Sequence, residues 1–187
     1  MGAIVPKSIV KYIILYGEKG VGKTLFQYQL QSEMNLEKEK IKPTFGVNFE
    51  IYTVRDIDLG IFDLSGDIQQ YALTNIITKS VEIVGIIFVV SLENINNLDE
   101  SSECLERIIG NNFINNPPSV YIIFNKPKYI ERLDWIDTEL LESRLNIPKL
   151  IKLYKIKVVS QICDISEIRN DGIDGFYKFK ELIKSWK

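Results

Sequence analysis

One stretch constrains this chain more than any other. Gly17 to Thr24 read GEKGVGKT, which fits G-x-x-x-x-G-K-[ST], and they lie between a β-rich apolar run, Ile9 to Tyr16 (IVKYIILY), and a segment of helical spacing that begins near Lys23. A strand apolar on both faces that feeds a glycine-rich turn and then a helix is the start of a parallel β-α-β crossover, not of a hairpin. In such a turn the glycines let backbone N–H groups curl around a phosphate chain. Lys23 places a cation on the β and γ phosphates, and Thr24 offers its hydroxyl to Mg²⁺. Gly17, Glu18, Lys19, Gly20, Val21, Gly22, Lys23 and Thr24 are therefore candidate contacts to a nucleoside triphosphate.

The rest of the chain continues the alternation. After Lys23, Leu25, Phe26 and Leu30 fall on one helix side, with Gln27, Gln31 and Glu33 on the other. Val47 to Val54 and Asp58 to Asp63 carry period-2 stretches around Arg55-Asp56, which predicts an antiparallel hairpin. Further β-rich runs at Val84 to Ser91, Val120 to Phe124 and Ile156 to Val159 are separated by helical patterns. Leu98, Leu105, Ile108 and Ile109 mark one helix; Ile136, Leu140 and Leu141 a second; Phe176, Phe179, Ile183 and Trp186 a third. Right-handed crossovers then give a three-layer α/β fold with a mostly parallel sheet and one antiparallel member. With 187 residues, 45% of them hydrophobic and 26% charged, the chain reads as one ordered domain over residues 1–187, not as a disordered protein.

Composition removes several chemistries. The chain has no histidine, so imidazole general bases, Ser-His-Asp and Cys-His nucleophiles and His-ligated metals are excluded. Cys104 and Cys163 match no metal or redox spacing and read as reduced thiols of a cytoplasmic protein. A formal net charge of −2 lacks the basic field of a protein that grips a nucleic-acid polymer. The longest apolar run, Ile83 to Val90, is far below the roughly 18 residues of a membrane-spanning helix. Met1-Gly2 is followed by Pro6 where a myristoylation pattern wants Ser or Thr, so no strong membrane anchor is expected.

Two more motifs surround the glycine-rich turn. Asp63-Leu64-Ser65-Gly66 is a D-x-x-G at the end of the third strand, where the carboxylate can hold the Mg²⁺ shell and the Gly66 N–H can face the γ-phosphate. Pro43-Thr44-Phe45-Gly46 offers Thr44 as a second hydroxyl for Mg²⁺, or is an ordinary Pro-Thr turn. Together with PTxGxN (Pro43 to Asn48) and with Asn125-Lys126 after an apolar strand, this set resembles the Ras-like small GTPases, and most of all their ADP-ribosylation factor branch. The spacing from Thr44 to Asp63, and the run into Gln161-Ile162-Cys163 before a last helix after Asp171-Gly172, are similar to the same branch. The resemblance implies a six-stranded sheet with five helices and a Mg²⁺-dependent GTP/GDP switch. It also implies that protein effectors and regulators are met through switch I, the interswitch hairpin and switch II. The implied metal ligands are Thr24, Thr44 and Asp63. The implied catalytic set is Lys23, Thr44, Gly66 and Asp67, and the base loops hold Asn125, Lys126, Lys128, Cys163 and Asp164.

Four departures fall on residues with chemical jobs. Guanine-binding proteins of this kind use N-K-x-D, whose aspartate accepts from the ring N–H and the exocyclic amine; here the pattern is Asn125-Lys126-Pro127-Lys128. An ammonium has no acceptor, so Lys128 cannot replace that carboxylate. Asp164, in the second base loop, either supplies the missing acceptor or opens the following turn. Asp67 stands where the family places a water-orienting glutamine, and a carboxylate beside the γ-phosphate is repelled by it, which predicts slow intrinsic hydrolysis. Lys19 either adds a cation near the phosphates or points into water, the commoner habit of lysine. Only Met1 to Ser8 precede the first strand, under three turns of helix, too short for the family's amphipathic membrane helix. The readings are thus a slow GTPase switch or a catalytically silent nucleotide-holding module. A small-molecule kinase is weaker, because Arg55, Arg107, Arg132, Arg144 and Arg169 are scattered, not grouped in one lid.

Overall fold

Two periodicities set the layers. In β1 (Lys11–Tyr16), Ile13 and Leu15 point to one face and Ile14 and Tyr16 to the other, and all four are fully buried, so both sheet faces must be covered. A computed structural model describes residues 10–30, 46–54, 57–64, 70–93, 95–113, 117–130, 136–168 and 175–186. The remaining strands are β2 (Val47–Val54), β3 (Ile57–Leu64), β4 (Ile83–Ser91), β5 (Ser119–Asn125) and β6 (Val158–Cys163). They form one six-stranded sheet in the order β2-β3-β1-β4-β5-β6, in which only the β2–β3 pairing is antiparallel.

The helices among the described residues are α1 (Lys23–Gln29), α2 (Gln70–Ser80), α3 (Leu98–Asn112), α4 (Thr138–Arg144), α5 (Ile147–Tyr154) and α6 (Tyr177–Lys184). Apolar residues of α2, α3, α4 and α5 (Ile77, Leu105, Leu141, Leu150) share a core with Ile14, Phe88 and Ile122. On the opposite face, Phe26 of α1 and Phe179 and Ile183 of α6 pack with Ile13, Val89 and Ile123. Phe26 meets Phe176 edge-on with ring centroids 4.6 Å apart, and Tyr121 stacks on Phe179 at 5.2 Å. The expected three-layer architecture is therefore the one observed.

Four details differ from the sequence pattern. Among the described residues there are six α-helices where five were expected, because Asn146 takes a left-handed φ of 55° and Pro148 follows at the start of the next helix, separating α4 from α5. Gln27, expected on the solvent side, is fully buried, and its amide lies beside the Tyr52 hydroxyl of β2. Leu140 is exposed, while Ile136 is buried ahead of α4, whose first turn is capped by the Asp137 carboxylate accepting from Leu140 N at 2.8 Å. The last strand starts at Val158 and not at Ile156, because Lys155, with φ 55°, ends α5 in a left-handed turn.

Candidate functional site

Ligands of open α/β sheets bind beyond the carboxyl ends of the strands where the strand order reverses. Here β1 has β3 on one side and β4 on the other, and the GEKGVGKT loop leaves its carboxyl end. The loop is shaped by close approach. Gly17 has φ 142°, and a Cβ there would lie 2.3 Å from the Val89 carbonyl oxygen, so any side chain would push the loop off β4. Gly22, with φ 106°, brings the chain against the Asn125 amide.

Lys23 is buried inside this loop. Its Nζ donates to the carbonyl oxygens of Gly17 and Glu18, both at 2.8 Å, so the ammonium is held within the arc of backbone around it. Beside it, Thr24 Oγ1 donates to Asp63 Oδ2 at 2.8 Å, and Asp63, paired across the strands with Leu15, is fully buried. A hydroxyl and a carboxylate brought together at a phosphate-type loop are hard oxygen donors, the class that Mg²⁺ takes.

The loops that follow β5 and β6 are tied to the same structure. Asn125, at the end of β5, donates from Nδ2 to the Val21 carbonyl at 3.0 Å and accepts at Oδ1 from Ile165 N at 3.1 Å, tying three loops through one amide. Lys126 N donates to the Cys163 carbonyl at 2.9 Å. The Asp164 carboxylate accepts from Ser166 N (2.9 Å) and Ser166 Oγ (2.6 Å) at Oδ1, and from Lys128 N (2.9 Å) at Oδ2. Both readings of Asp164 thus have a physical basis: it caps a short 3₁₀ turn, Ile165–Glu167, and its carboxylate sits beside residue 128.

Burial, with the Asp164 charge adding to it, pushes the Cys163 thiol from 9 up to about 12. A raised thiol value favours the protonated folded state, fully so below pH 9. As pH rises from 9 towards 12 the unfolded chain gives up this proton and the folded one keeps it, so stability falls across that window. Cys163→Ser is expected to make the fall shallower by up to one proton in urea melts measured between pH 9 and 12; an unchanged slope would show that the thiol does not contribute.

The fold brings together Gly17 to Thr24, Asp63, Asn125, Lys126, Lys128, Cys163 and Asp164. Thr44, Gly66 and Asp67 lie outside the described residues. Lys19 is exposed and, with Glu18, Ser91, Glu93, Asn97 and Ser101, lines a cavity of about 250 Å³ between the loop and the start of α3, while Ser101 Oγ donates to Glu18 Oε1 at 3.3 Å. Among the described residues no cluster of three or more His, Cys, Asp or Glu side chains forms a metal site, and no helix is long and apolar enough to cross a membrane. Sequence reading missed Glu167, whose Oε2 lies 2.9 Å from Lys128 Nζ, and Tyr129, whose hydroxyl bonds to Glu93. Neither has a motif spacing that could have revealed it; both pairings arise between loops.

The sequence profile of the ADP-ribosylation factor family matches residues 5–181. Among solved structures, the chain is similar to the Arl6 (BBS3) small GTPase from Trypanosoma brucei with bound nucleotide analogue GppNp, at 17% identity and a TM-score of 0.67, over 95% of this chain and 97% of that one. At that identity the likeness speaks for the fold alone. No curated protein matches.

Proposed function

The chain belongs to the ADP-ribosylation factor family, and from that premise we propose that it is a Mg²⁺-dependent GTP/GDP switch with slow intrinsic hydrolysis, working as a single cytoplasmic domain over residues 1–187. The observation that carries this reading is the joint placement of the buried Lys23 ammonium and the Thr24–Asp63 pair at the carboxyl edge of the sheet. Backbone N–H groups of Gly17 to Thr24 and Lys23 bind the phosphates. Thr24 and Asp63, with Thr44, would hold Mg²⁺, which when bound offsets charge on the phosphate oxygens. Asn125 and Lys126 keep the base loops in register with the phosphate loop. Asp67, in place of a neutral water-orienting side chain, slows turnover.

The lost acceptor at Lys128 is supplied by Asp164 in this reading, because its carboxylate already reaches the main chain of residue 128. A competition assay of GTP against ATP, XTP and CTP tests it. Asp164→Ala is expected to lower the preference for GTP by about ten-fold or more, as for a polar reader left without its partner; an unchanged preference removes Asp164 from this role.

Partners of protein chemistry fit the interswitch hairpin. Val47, Phe49 and Ile51 alternate on the outward face of the edge strand β2 with exposures of 37%, 42% and 54%, and Phe49 packs on Phe62 with ring centroids 4.6 Å apart. An apolar aromatic patch on a sheet edge suits a protein surface. A second reading, a silent module that retains its triphosphate, draws on Asp67 and Lys128. Multiple-turnover phosphate release with and without cell extract separates the two: release stimulated by a partner supports the switch, and a permanently retained triphosphate supports the module.

A further inference from the structure

We propose that Glu167 is a specificity-determining positioning residue: by holding the Lys128 ammonium, it keeps that charge from adding to the bonds the Asp164 carboxylate already accepts, so that the carboxylate can also take the donor edge of guanine. The proposal rests on the reading of Asp164 as the base acceptor and adds to it the reason why a lysine is tolerated at residue 128.

The geometry begins with a short turn. Asp164 caps the 3₁₀ turn Ile165–Glu167, and Glu167 N donates to the Asp164 carbonyl at 3.0 Å. Asp164 caps the turn with an extended backbone, and its carboxylate and that of Glu167 are both within reach of one residue in the neighbouring loop. Lys128 faces both from the neighbouring loop. Its main-chain N–H donates to Asp164 Oδ2 at 2.9 Å, while its Nζ is 2.9 Å from Glu167 Oε2. One residue therefore addresses two acids, with its backbone on the first and its charge on the second.

That division matters because the ammonium is the wrong group for a guanine edge. The ring N–H and the 2-amine both donate, and an ammonium donates as well. Its flexible four-carbon stem places Asp164 Oδ2, already bonded to the same residue's backbone, within its range. With Glu167 present, the ammonium has a partner away from the acceptor. With Glu167 removed, Asp164 is the neighbouring anion that attracts it, and a protonated amine then occupies the oxygens that guanine needs. The Lys128 and Glu167 side chains are 73% and 41% exposed, so water screens the pair and the expected effect is modest, about five-fold.

GTP and ITP differ only in the 2-amine, so the ratio of their affinities reads the acceptor directly, and it is measured for the wild type, Glu167→Ala, Glu167→Gln, Glu167→Ala with Lys128→Ala, and Asp164→Ala. Both Glu167 variants are expected to lower the GTP:ITP ratio about five-fold, and the double variant is expected to restore it, because the displaced ammonium is then gone. A merely structural role would weaken both nucleotides equally and leave the ratio unmoved, which overturns the proposal, as does a double variant that fails to restore it. If the wild type shows no GTP preference over ITP, or Asp164→Ala leaves the ratio unchanged, the reading of Asp164 fails and the proposal with it. A ratio that collapses in Asp164→Ala but not in the Glu167 variants overturns the proposal alone.

Discussion

Replacing Lys23 with methionine is expected to lower GTP affinity about a thousand-fold, roughly 4 kcal/mol, while the protein still folds. Lys23 is only 7% exposed and its ammonium is held by the Gly17 and Glu18 carbonyls at 2.8 Å, so it already sits where the loop closes on itself. Charge-assisted bonds from such a group to phosphate oxygens contribute about 1.5–3 kcal/mol each. Methionine fills similar volume with a flexible apolar stem but donates nothing. Stability without nucleotide changes less than affinity, because the cost of burying the charge disappears together with its hydrogen bonds. Calorimetric titration with GTP and a thermal melt of the same sample separate the two effects; unimpaired binding would mean that Lys23 does not touch the phosphates.

The second large effect is at Asn125. Its amide is used at both ends, donating to Val21 O at 3.0 Å and accepting from Ile165 N at 3.1 Å. Asn125→Asp keeps the shape and removes the donor, setting a charged oxygen against the Val21 carbonyl and near the phosphate loop. The expected destabilisation is about 2–4 kcal/mol, because a half-buried, charged acceptor then faces an acceptor. For a chain of this length that lowers the melting temperature by roughly 6–12 °C. GTP affinity is expected to fall by about a hundred-fold, because the glycine-rich loop proposed to cradle the phosphates loses its tie to β5. Melting and titration of the variant check both; a wild-type melt would show that the three-loop tie is not a source of rigidity.

Much of this arrangement was legible in the sequence because it rests on local patterns. The GEKGVGKT turn required a strand before it and a helix after it, and Tyr16 and Lys23 mark those boundaries in the structure. The period-2 runs around Arg55-Asp56 gave the β2–β3 hairpin, in which Val54 pairs with Ile57. The D-x-x-G aspartate was expected beside the phosphate loop, and the 2.8 Å bond from Thr24 to Asp63 places it there. Long-range features were less accessible. Gln27 looked solvent-facing because polarity was the only guide, whereas its side chain is fully buried beside Tyr52 of β2, a neighbour 25 residues away that no local pattern reveals. The break between α4 and α5 depended on a left-handed backbone at Asn146, a conformation that asparagine tolerates but does not dictate. The Lys128–Glu167 pair joins residues 39 apart through two loops, and no spacing rule connects them.

In the proposed switch, the glycine-rich loop, its buried lysine and the Thr24–Asp63 pair hold a magnesium-chelated guanosine triphosphate. Isothermal titration of nucleotide-stripped protein with GTP, in Mg²⁺ and again in excess EDTA, addresses it most directly. The expected result is saturable heat at one site in Mg²⁺, with a raised melting temperature, and binding weakened at least about ten-fold in EDTA. No heat and no melting shift with GTP in Mg²⁺ would contradict the account.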